Sequence, residues 1–496
     1  MDGHGLIPLG ILLSSFFTGL VIFALDEESH GLRTALNLIG ATLKLALVAV
    51  LLWGIYHGES FAVSWEFLPG VRFALAADAN SVLFVTLSTV LWFWTTLYAV
   101  GYLEGAPHRS RFFGFFSLCV TATTGIALSA NLITFLTFYE LLTVTTFPLV
   151  VHRGTPDALQ GGRSYLTYTV AGGAVLLLAV AGLHHIVGPV DFVQRGVVAP
   201  FVASHRGELR VLFLLFMIGI GVKAALVPLH GWLPRAMVAP APVSALLHAV
   251  AVVKAGAFGI VRIIYDVYGV ENAAALGVLG PLAVAASITI IYGSTLAVFQ
   301  DGLKKRLAFS TVSQVSYIVL GAGIRGPLST TGGLVHLVHQ GLMKITLFFG
   351  AGNFAETLGI HNVSEMDGVG RRMPLTTAAF TVAALGMIGV PPLAGYISKW
   401  YLLKGAVQSG DGWVGLVLGA SSLLNAAYFL PILYRAWLLP PPAGRGDAPP
   451  WRETHWMLLL PPLFTAALVI WAGGLAESPA SPLAWVKLIV AREYGP

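Results

Sequence analysis

Long apolar runs, separated by short polar or Pro/Gly-rich clusters, fill almost the whole chain of 496 residues. A helix needs about 20 apolar residues to cross a bilayer, and backbone that faces lipid cannot be irregular. The pattern therefore predicts an all-α polytopic membrane protein with fourteen transmembrane helices and a single membrane domain over residues 1–496. The predicted spans are 6–25, 34–56, 81–103, 112–130, 131–151, 164–188, 209–230, 244–265, 274–297, 307–323, 328–350, 374–397, 412–438 and 456–475.

Composition supports this class of protein, since 56% of the residues are hydrophobic and only 10% are charged. A soluble protein has about 25% charged residues, so a water-soluble enzyme is excluded. The net charge of +5 is small and no basic run is interleaved with aromatic residues, which excludes nucleic acid as a partner. The single cysteine, Cys119, excludes a disulfide framework and a protein-ligated iron-sulfur cluster.

Basic residues in the predicted loops set the orientation of the chain. The loops after odd-numbered spans contain 14 lysine and arginine residues, and the loops on the other side contain nine. The side that is richer in basic residues is normally cytoplasmic. We therefore expect a multi-pass protein of the plasma membrane with both termini outside. Its N-terminus lacks a cleavable signal, so the first apolar run is predicted to be retained.

Five lysines and one acid lie inside the predicted spans. A charged group at the centre of a helix costs about 2.5–3.5 kcal/mol on insertion scales, so each must be paired, hydrated or neutral. Such residues are functional candidates by default. They are Glu140, Lys44, Lys223, Lys254, Lys344 and Lys399.

Glu140 lies about ten residues from either end of its span, where a short carboxylate cannot reach water. Its charge needs an internal partner, unless it is a permanently protonated group that is hydrogen-bonded between helices. Pro228 should break the next polar helix one turn after Lys223, since proline has no amide hydrogen. Water at the break would let Lys223 exchange its proton as a nearby carboxylate moves, although Lys223 could instead be a static counter-ion to Glu140.

Lys254 follows His248 by six residues, which on a continuous helix is about 9 Å along the axis and some 240° around it. Both cannot face one narrow channel, so Lys254 is the predicted relay. His248 is either a channel wall or a polar packing contact.

His336 and His339 are three residues apart on one helix face, and Lys344 is close to that face. Imidazole titrates near neutral pH, so the pair can pass protons. A metal site is the alternative, but no nearby acid or cysteine completes it, and the sequence predicts neither metal nor cofactor.

Pro391 and Pro392 should break a second helix, eight residues before Lys399. Broken helices in the two halves of a transporter mark its transport path. Lys399 is therefore a predicted relay, with an interfacial anchor as the alternative. Lys44 has no histidine or proline break nearby and is interpreted as peripheral.

The segment in which Lys223 precedes PLHGWLP, APAPVSALLH and VKAG resembles the antiporter-like membrane subunits of respiratory complex I, membrane-bound hydrogenases and Mrp cation/proton antiporters. The resemblance covers roughly residues 78–431. It implies fourteen helices with two inverted five-helix repeats, here 112–265 and 274–438. It also implies a polar axis in which His336 competes with His339 for one position, its members being Glu140, Lys223, Lys254, His339 and Lys399.

Within that family the chain looks most like the D-type subunits of Mrp antiporters, because of its length and because residue 399 is lysine rather than glutamate. This implies a proton-translocating component of a multisubunit cation (Na⁺)/proton antiporter that works with other membrane subunits rather than as a stand-alone enzyme. The alternatives are a pumping component of a complex I-like or hydrogenase redox complex and a membrane component of an inorganic-carbon uptake system. A structural scaffold is less favoured, because four lysines would lack a carboxylate.

Overall fold

A computed structural model describes residues 5–69, 71–103, 105–441 and 452–495, which form a helical bundle with one β hairpin. Eleven of the described helical segments are long and apolar enough to cross a membrane. The all-α membrane class is thereby confirmed, while the count of fourteen crossings stays a prediction. The helices are α1 (Leu6–Phe23), α2 (His30–Tyr56), α3 (Ala79–Tyr102), α4 (Arg109–Leu128), α5 (Leu132–Val150), α6 (Pro156–Val187), α7 (Arg206–Lys223), α8 (Trp232–Arg235), α9 (Ala241–Ala249), α10 (Val252–Arg262), α11 (Val270–Leu276), α12 (Leu279–Val298), α13 (Leu303–Gly323), α14 (Pro327–Leu358), α15 (Val369–Arg372), α16 (Pro374–Ile388), α17 (Ala394–Gln408), α18 (Trp413–Leu438), α19 (Trp456–Gly474) and α20 (Pro482–Tyr494).

The β hairpin and the last helix have no counterpart in the predicted spans. Strands β1 (Phe61–Leu68) and β2 (Val71–Ala77) pair as an antiparallel hairpin. Helix α20 begins where the Ser481 hydroxyl caps the amide of Ala484. A search for 20-residue apolar runs cannot detect such short elements. The proline-rich connection predicted after residue 440 falls mostly on 442–451, outside the described residues.

The hairpin and α20 lie at the same end of the bundle, here called the hairpin end. The indole of Trp485 in α20 donates to the carbonyl of Ala79 at the start of α3, directly after β2. Gly5 at the start of α1 lies against the backbone of Ala62 in β1. Both ends of the described chain are therefore at the hairpin end. The opposite end, which carries Lys304, is here called the Lys304 end.

The two proline-associated helix breaks are confirmed. Helix α7 ends at Lys223, and Ala225 takes a left-handed conformation with φ 56° before Pro228. Helix α16 ends at Ile388, Gly389 takes φ 99°, and the chain resumes as α17 after the two prolines.

A third break separates α9 from α10. The expectation of one continuous helix through His248 and Lys254 is wrong, because α9 ends at Ala249 and α10 starts at Val252. The spacing of 9 Å and 240° therefore does not apply. Neither proline nor glycine stands between the two helices, so the local sequence carries no signal for the interruption.

Helix α10 passes directly over the end of α7. A Cβ atom built on Gly256 would lie 2.2 Å from the backbone nitrogen of Ala224, the residue after Lys223. Only glycine allows this approach, which brings the helix that carries Lys254 against the broken end that carries Lys223.

We expect Gly256→Ala to destabilise the protein by about 1–3 kcal/mol, the usual cost of overpacking, because the new methyl meets backbone rather than a flexible side chain. The measurement is the midpoint of thermal denaturation of the purified protein. Gly280→Ala in α12 is the matched control, since a Cβ there meets nothing within 4 Å. Equal midpoints for the two variants would contradict the close approach.

Candidate functional site

The six residues predicted to carry chemistry lie on helices that meet inside the bundle. Lys223, Lys254, His336 and His339 are at most 1% exposed, Lys399 is 9% exposed, and Glu140 is half-buried. Three of the helices concerned, α7, α10 and α17, begin or end at a break.

Lys223 is the last residue of α7 and reaches across to α5. Its Nζ donates to the carbonyl oxygen of Tyr139 and lies 3.4 Å from the centroid of the same tyrosine ring. The Tyr139 hydroxyl in turn donates to the carbonyl of Ile220 at 3.2 Å. A cation suits this position because carbonyl groups at the end of a helix carry partial negative charge.

Glu140 does not form the direct ion pair that the sequence suggested. Among the described residues no salt bridge joins it to Lys223, and its buried Oε1 has no hydrogen-bond partner there. The carboxylate lies against Gly173 of α6, where a Cβ atom would be 2.5 Å from Oε1. Glu140 is nevertheless the residue after Tyr139, whose carbonyl oxygen accepts from Lys223.

A second buried acid lies just beyond the end of the predicted span 244–265. A π-helical segment, Ile263–Tyr268, extends α10 and contains the buried Asp266. The guanidinium of Arg262 bridges Asp266 at 2.6 Å and Asp78 at 2.5 Å and also donates to Ser81. The predicted span ended too early to include this network, in which one guanidinium pairs with both carboxylates at the hairpin end.

Lys254 links α10 to α14, because its Nζ donates to the carbonyl oxygen of Leu337 at 2.6 Å. His248 lies apart from that contact. Its Nε2 is 3.3 Å from the sulfur of Met237, and its ring stacks on Phe348.

His336 connects α14 with α17. Its Nδ1 shares a 2.7 Å hydrogen bond with the hydroxyl of Ser398, the residue before Lys399, and its ring stacks on Tyr317. Neither ring nitrogen of His339 makes a hydrogen bond of normal geometry within the part of the chain that the structure describes. Of the two histidines, His336 is therefore the one bonded toward Lys399.

Lys399 caps the open end of α16. Its Nζ donates to the carbonyls of Met387 at 3.0 Å and Ile388 at 2.8 Å, and to the Ser422 hydroxyl at 3.0 Å. A lysine that anchors the protein at an interface would extend its ammonium into water. Lys399 instead points it at backbone oxygens inside the bundle.

A second chain of hydrogen bonds, which the sequence did not indicate, reaches the same helix end from Lys344. The Nζ of Lys344 donates to Ser310 at 2.7 Å, and Ser310 bonds the hydroxyl of Tyr428 at 2.7 Å. Tyr428 donates to the Asn425 side chain at 2.6 Å, and Asn425 donates to Met387 O at 3.0 Å. Only the packing of α18 brings the tyrosine and the asparagine to Ser310.

Lys44, predicted to be peripheral, is fully buried between α1, α2 and α3. Within the described ranges, no group of three or more histidine, cysteine or acidic side chains has the spacing of a metal site.

Comparison with known proteins places this geometry in a family. The family described as "NADH:quinone oxidoreductase/Mrp antiporter, TM" matches residues 129–424. The N-type subunit of NADH-quinone oxidoreductase from Desulforudis audaxviator is 37% identical over 362 residues, which are 71% of this chain and 71% of that protein. A probable K⁺/H⁺ antiporter A/B-type subunit of Rhizobium meliloti is 31% identical over 414 residues, which are 82% of this chain and only 40% of the relative.

Solved structures share the fold over the full chain. One chain of the Mrp complex from Dietzia sp. superimposes with a TM-score of 0.88 at 22% identity, covering 100% of this chain and 98% of that one. One chain of the membrane-bound sulfane sulfur reductase, an archaeal respiratory membrane complex, gives a TM-score of 0.87 at 21% identity, covering 99% and 98%. The broken helices, the buried lysines and the sequence match together show that this chain belongs to the family of antiporter-like membrane subunits that NADH:quinone oxidoreductases and Mrp antiporters share.

Proposed function

We propose that the chain is the D-type, proton-translocating subunit of a multisubunit cation/proton antiporter of the plasma membrane, with Na⁺ as the exchanged cation. The observation that carries the proposal is the placement of Lys223 and Lys399, each buried at a broken helix end, with Lys254 and His336 on the helices between them. Such a line can hand protons across the bundle, whereas a sealed scaffold would pair each lysine with a carboxylate.

In the proposed cycle, Glu140 controls the charge of Lys223. The two are close enough to interact but do not form a direct ion pair, so a small displacement of Glu140 by a neighbouring subunit changes the field at Lys223. When the carboxylate moves away, Lys223 releases its proton toward Lys254 on the adjoining α10. When the carboxylate returns, Lys223 takes up a proton again.

The later steps run along α14 and α17. Lys254 contacts the backbone next to His336, and His336 shares a hydrogen bond with Ser398 beside Lys399. His339, one turn away on α14, stays an alternative at this step. Water must bridge the gaps between these groups, and the helix breaks leave backbone groups that attract it.

The two inverted repeats, 112–265 and 274–438, are part of this proposal. In each, the fourth predicted span is interrupted beside a buried lysine, at α7 and at α16. The break between α9 and α10 is an additional one in the first repeat. The recurrence of a break beside a buried lysine supports a twofold internal repeat with the transport path between its halves.

A redox-driven proton pump is the second candidate. The 37% identity to an NADH-quinone oxidoreductase subunit favours it. With one cysteine in the chain, electron carriers would have to be bound by partner subunits. The chains that co-purify with this protein distinguish the two, since flavin or iron-sulfur proteins indicate the pump and a set of membrane subunits alone indicates the antiporter.

Glu140→Gln should leave assembly intact and abolish sodium-dependent proton movement in everted vesicles, because an amide cannot carry the switching charge. Glu477→Gln is the matched control, since Glu477 is an exposed acid paired with Lys487. Normal transport by an assembled Glu140→Gln complex would rule out the proposed control of Lys223.

Lys399→Arg should assemble and translocate slowly or not at all, because arginine stays protonated and a relay must release its proton. Proton flux is measured across neutral and mildly alkaline pH. Lys404→Arg, five residues later on the lipid-accessible face over the Trp400 ring, should transport like wild type. Wild-type flux in Lys399→Arg would assign this lysine to a structural cap.

The proposed orientation puts the Lys304 end inside the cell. In a Cys119→Ala background, a cysteine replacing the exposed Lys305 should resist impermeant thiol reagents in intact cells. A cysteine replacing the exposed Ser204, beside the start of α7 at the hairpin end, should be labelled. The opposite labelling pattern would invert the orientation.

A further inference from the structure

Lys44 stands at the centre of α2, roughly 18–21 Å along the axis from either end. Its exposed fraction is 0%. The Nζ donates to the Ser15 hydroxyl of α1 at 2.8 Å and lies 5.2 Å from the Trp92 ring centroid of α3. A lysine in this position cannot extend its ammonium group to the water at either membrane surface, and it cannot pair with a charge on the protein surface.

No carboxylate is available to pair with it. Helices α1 to α4 contain neither aspartate nor glutamate, and no salt bridge in the described part of the chain involves Lys44. The other titratable or charged side chains of this four-helix group are His30, Arg33 and Tyr56 on α2, Tyr98 and Tyr102 on α3, and Arg109, Arg111 and Cys119 on α4. The charge of Lys44 therefore depends on what else reaches it.

The hydroxyls next to Lys44 form a directed chain. Thr121 of α4 donates its hydrogen to the carbonyl of Ser117 at 3.0 Å. The 2.8 Å contact between Ser15 and Thr121 is then donated by Ser15, whose hydroxyl also lies 3.3 Å from the carbonyl oxygen of Leu12, and the Ser15 oxygen accepts from Lys44. This chain satisfies one N–H of the lysine and leaves the others to a different partner.

Six further side chains in the same four helices are almost fully buried and carry polar atoms without a hydrogen-bond partner among the residues described. Each is at most 1% exposed. Ser88, Trp92 and Thr96 are spaced by four residues and so share one face of α3, the face that meets Lys44. Polar atoms at membrane depth need partners, and buried water commonly provides them. The atoms are Asn37 Oδ1, Ser88 Oγ, Thr89 Oγ1, Trp92 Nε1, Thr96 Oγ1 and Ser117 Oγ.

Two polar stripes lead from Lys44 to the Lys304 end. On α2, Arg33, Asn37 and Lys44 are separated by four and seven residues and lie on one face. The stripe on α4 consists of Ser110, Ser117 and Thr121. Its first and last residues are as far apart in sequence as Arg33 and Lys44 are on α2. Arg33 donates to Ser110 where the stripes begin, and the Ser15 bridge joins Lys44 with Thr121 where they finish.

The start of the stripes meets the surface. Arg33 donates to the carbonyls of Asp26 and Glu27 in the exposed turn between α1 and α2. The carboxylate of Glu27 accepts from the amides of Arg109 and Ser110 at the start of α4. Polar side chains therefore recur along α2 and α4 from the exposed turn to the level of Lys44.

We propose that helices α1 to α4 enclose a water-filled inlet that runs from Arg33 to Lys44, and that Lys44 takes up and releases a proton there. In this step the amine nitrogen accepts a proton from hydronium and later returns it to water. Lys44 is thus a second protonation site, apart from the line between Glu140 and Lys399. The proposal rests on burial and hydrogen bonding in these four helices, not on which cation the assembly exchanges.

Hydroxyl-radical footprinting of the purified complex tests for the water, because radicals generated in internal water oxidise the adjacent side chain. Trp92 and Trp232 are both 0% exposed, but the Trp232 indole already donates to Val222 O at 2.8 Å. We expect oxidation of Trp92 in the wild type and a several-fold decrease in Lys44→Met, with the Trp232 rate unchanged. An unoxidised Trp92, or one indifferent to Lys44→Met, would overturn the inlet.

Reductive methylation of the wild-type complex with formaldehyde tests the proton exchange and needs no variant. The reaction requires an uncharged amine, so Lys44 should be methylated to an extent that rises with pH, as mass spectrometry of its peptide would record. The exposed Lys305 serves as the reference for reagent dose. If Lys44 is unmodified at every pH, or is modified to the same extent at every pH, it is not a protonation site.

Discussion

Hydrogen-bonding groups at membrane depth must find partners inside the protein, because the hydrocarbon offers none. The requirement is most severe where a helix is interrupted, since the last carbonyls then lose their intrahelical partners. At the end of α16, Lys399 supplies hydrogen bonds to two such carbonyls, and its third N–H is used by Ser422. Three acceptors match the three donors of an ammonium group. Lys399 thus supplies the hydrogen bonds that these carbonyls need and is also the proposed proton relay.

The end of α7 satisfies the same requirement in a different way. The indole of Trp232 donates to the carbonyl of Val222, so Lys223 is not needed as a cap and reaches α5 instead. There it meets one carbonyl and the face of the Tyr139 ring, with Glu140 the next residue along. The two broken helices therefore hold their lysines in unlike environments. One is surrounded by fixed acceptors, and the other lies beside Glu140, whose Oε1 has no hydrogen-bond partner among the described residues.

The sequence predicts the bundle well where the physical signal is local. Apolar runs located the helices, and Pro228 and the proline pair after α16 located two breaks, because a missing amide hydrogen acts on its own helix turn. The break between α9 and α10 has no such residue and depends on packing against α14 and α3. For the same reason the buried state of Lys44 was missed, since its partners Ser15 and Trp92 lie on other helices.

The site shows the same division. The titratable residues could be named because charge inside an apolar run is conspicuous. The side chains that connect the titratable residues could not be named from the sequence, because Tyr428 and Asn425 look like ordinary residues of an apolar helix. Their role follows only from the packing of α18 against α13 and α16. The network of Arg262 was missed for a related reason. Its span continues as a π-helical segment beyond the last uncharged turn, so a search for uncharged length ended too soon.

The carbonyl oxygen of Met387 accepts from both Lys399 and Asn425. Asparagine does not titrate, and its own side chain is held by Tyr428. In the proposed cycle, Lys399 changes its charge and its hydrogen bonds weaken, while the Asn425 amide still holds the last turn of α16. In this proposal Lys399 carries the charge and Asn425 supports the helix end. The charge at this position can then change while the backbone keeps its conformation.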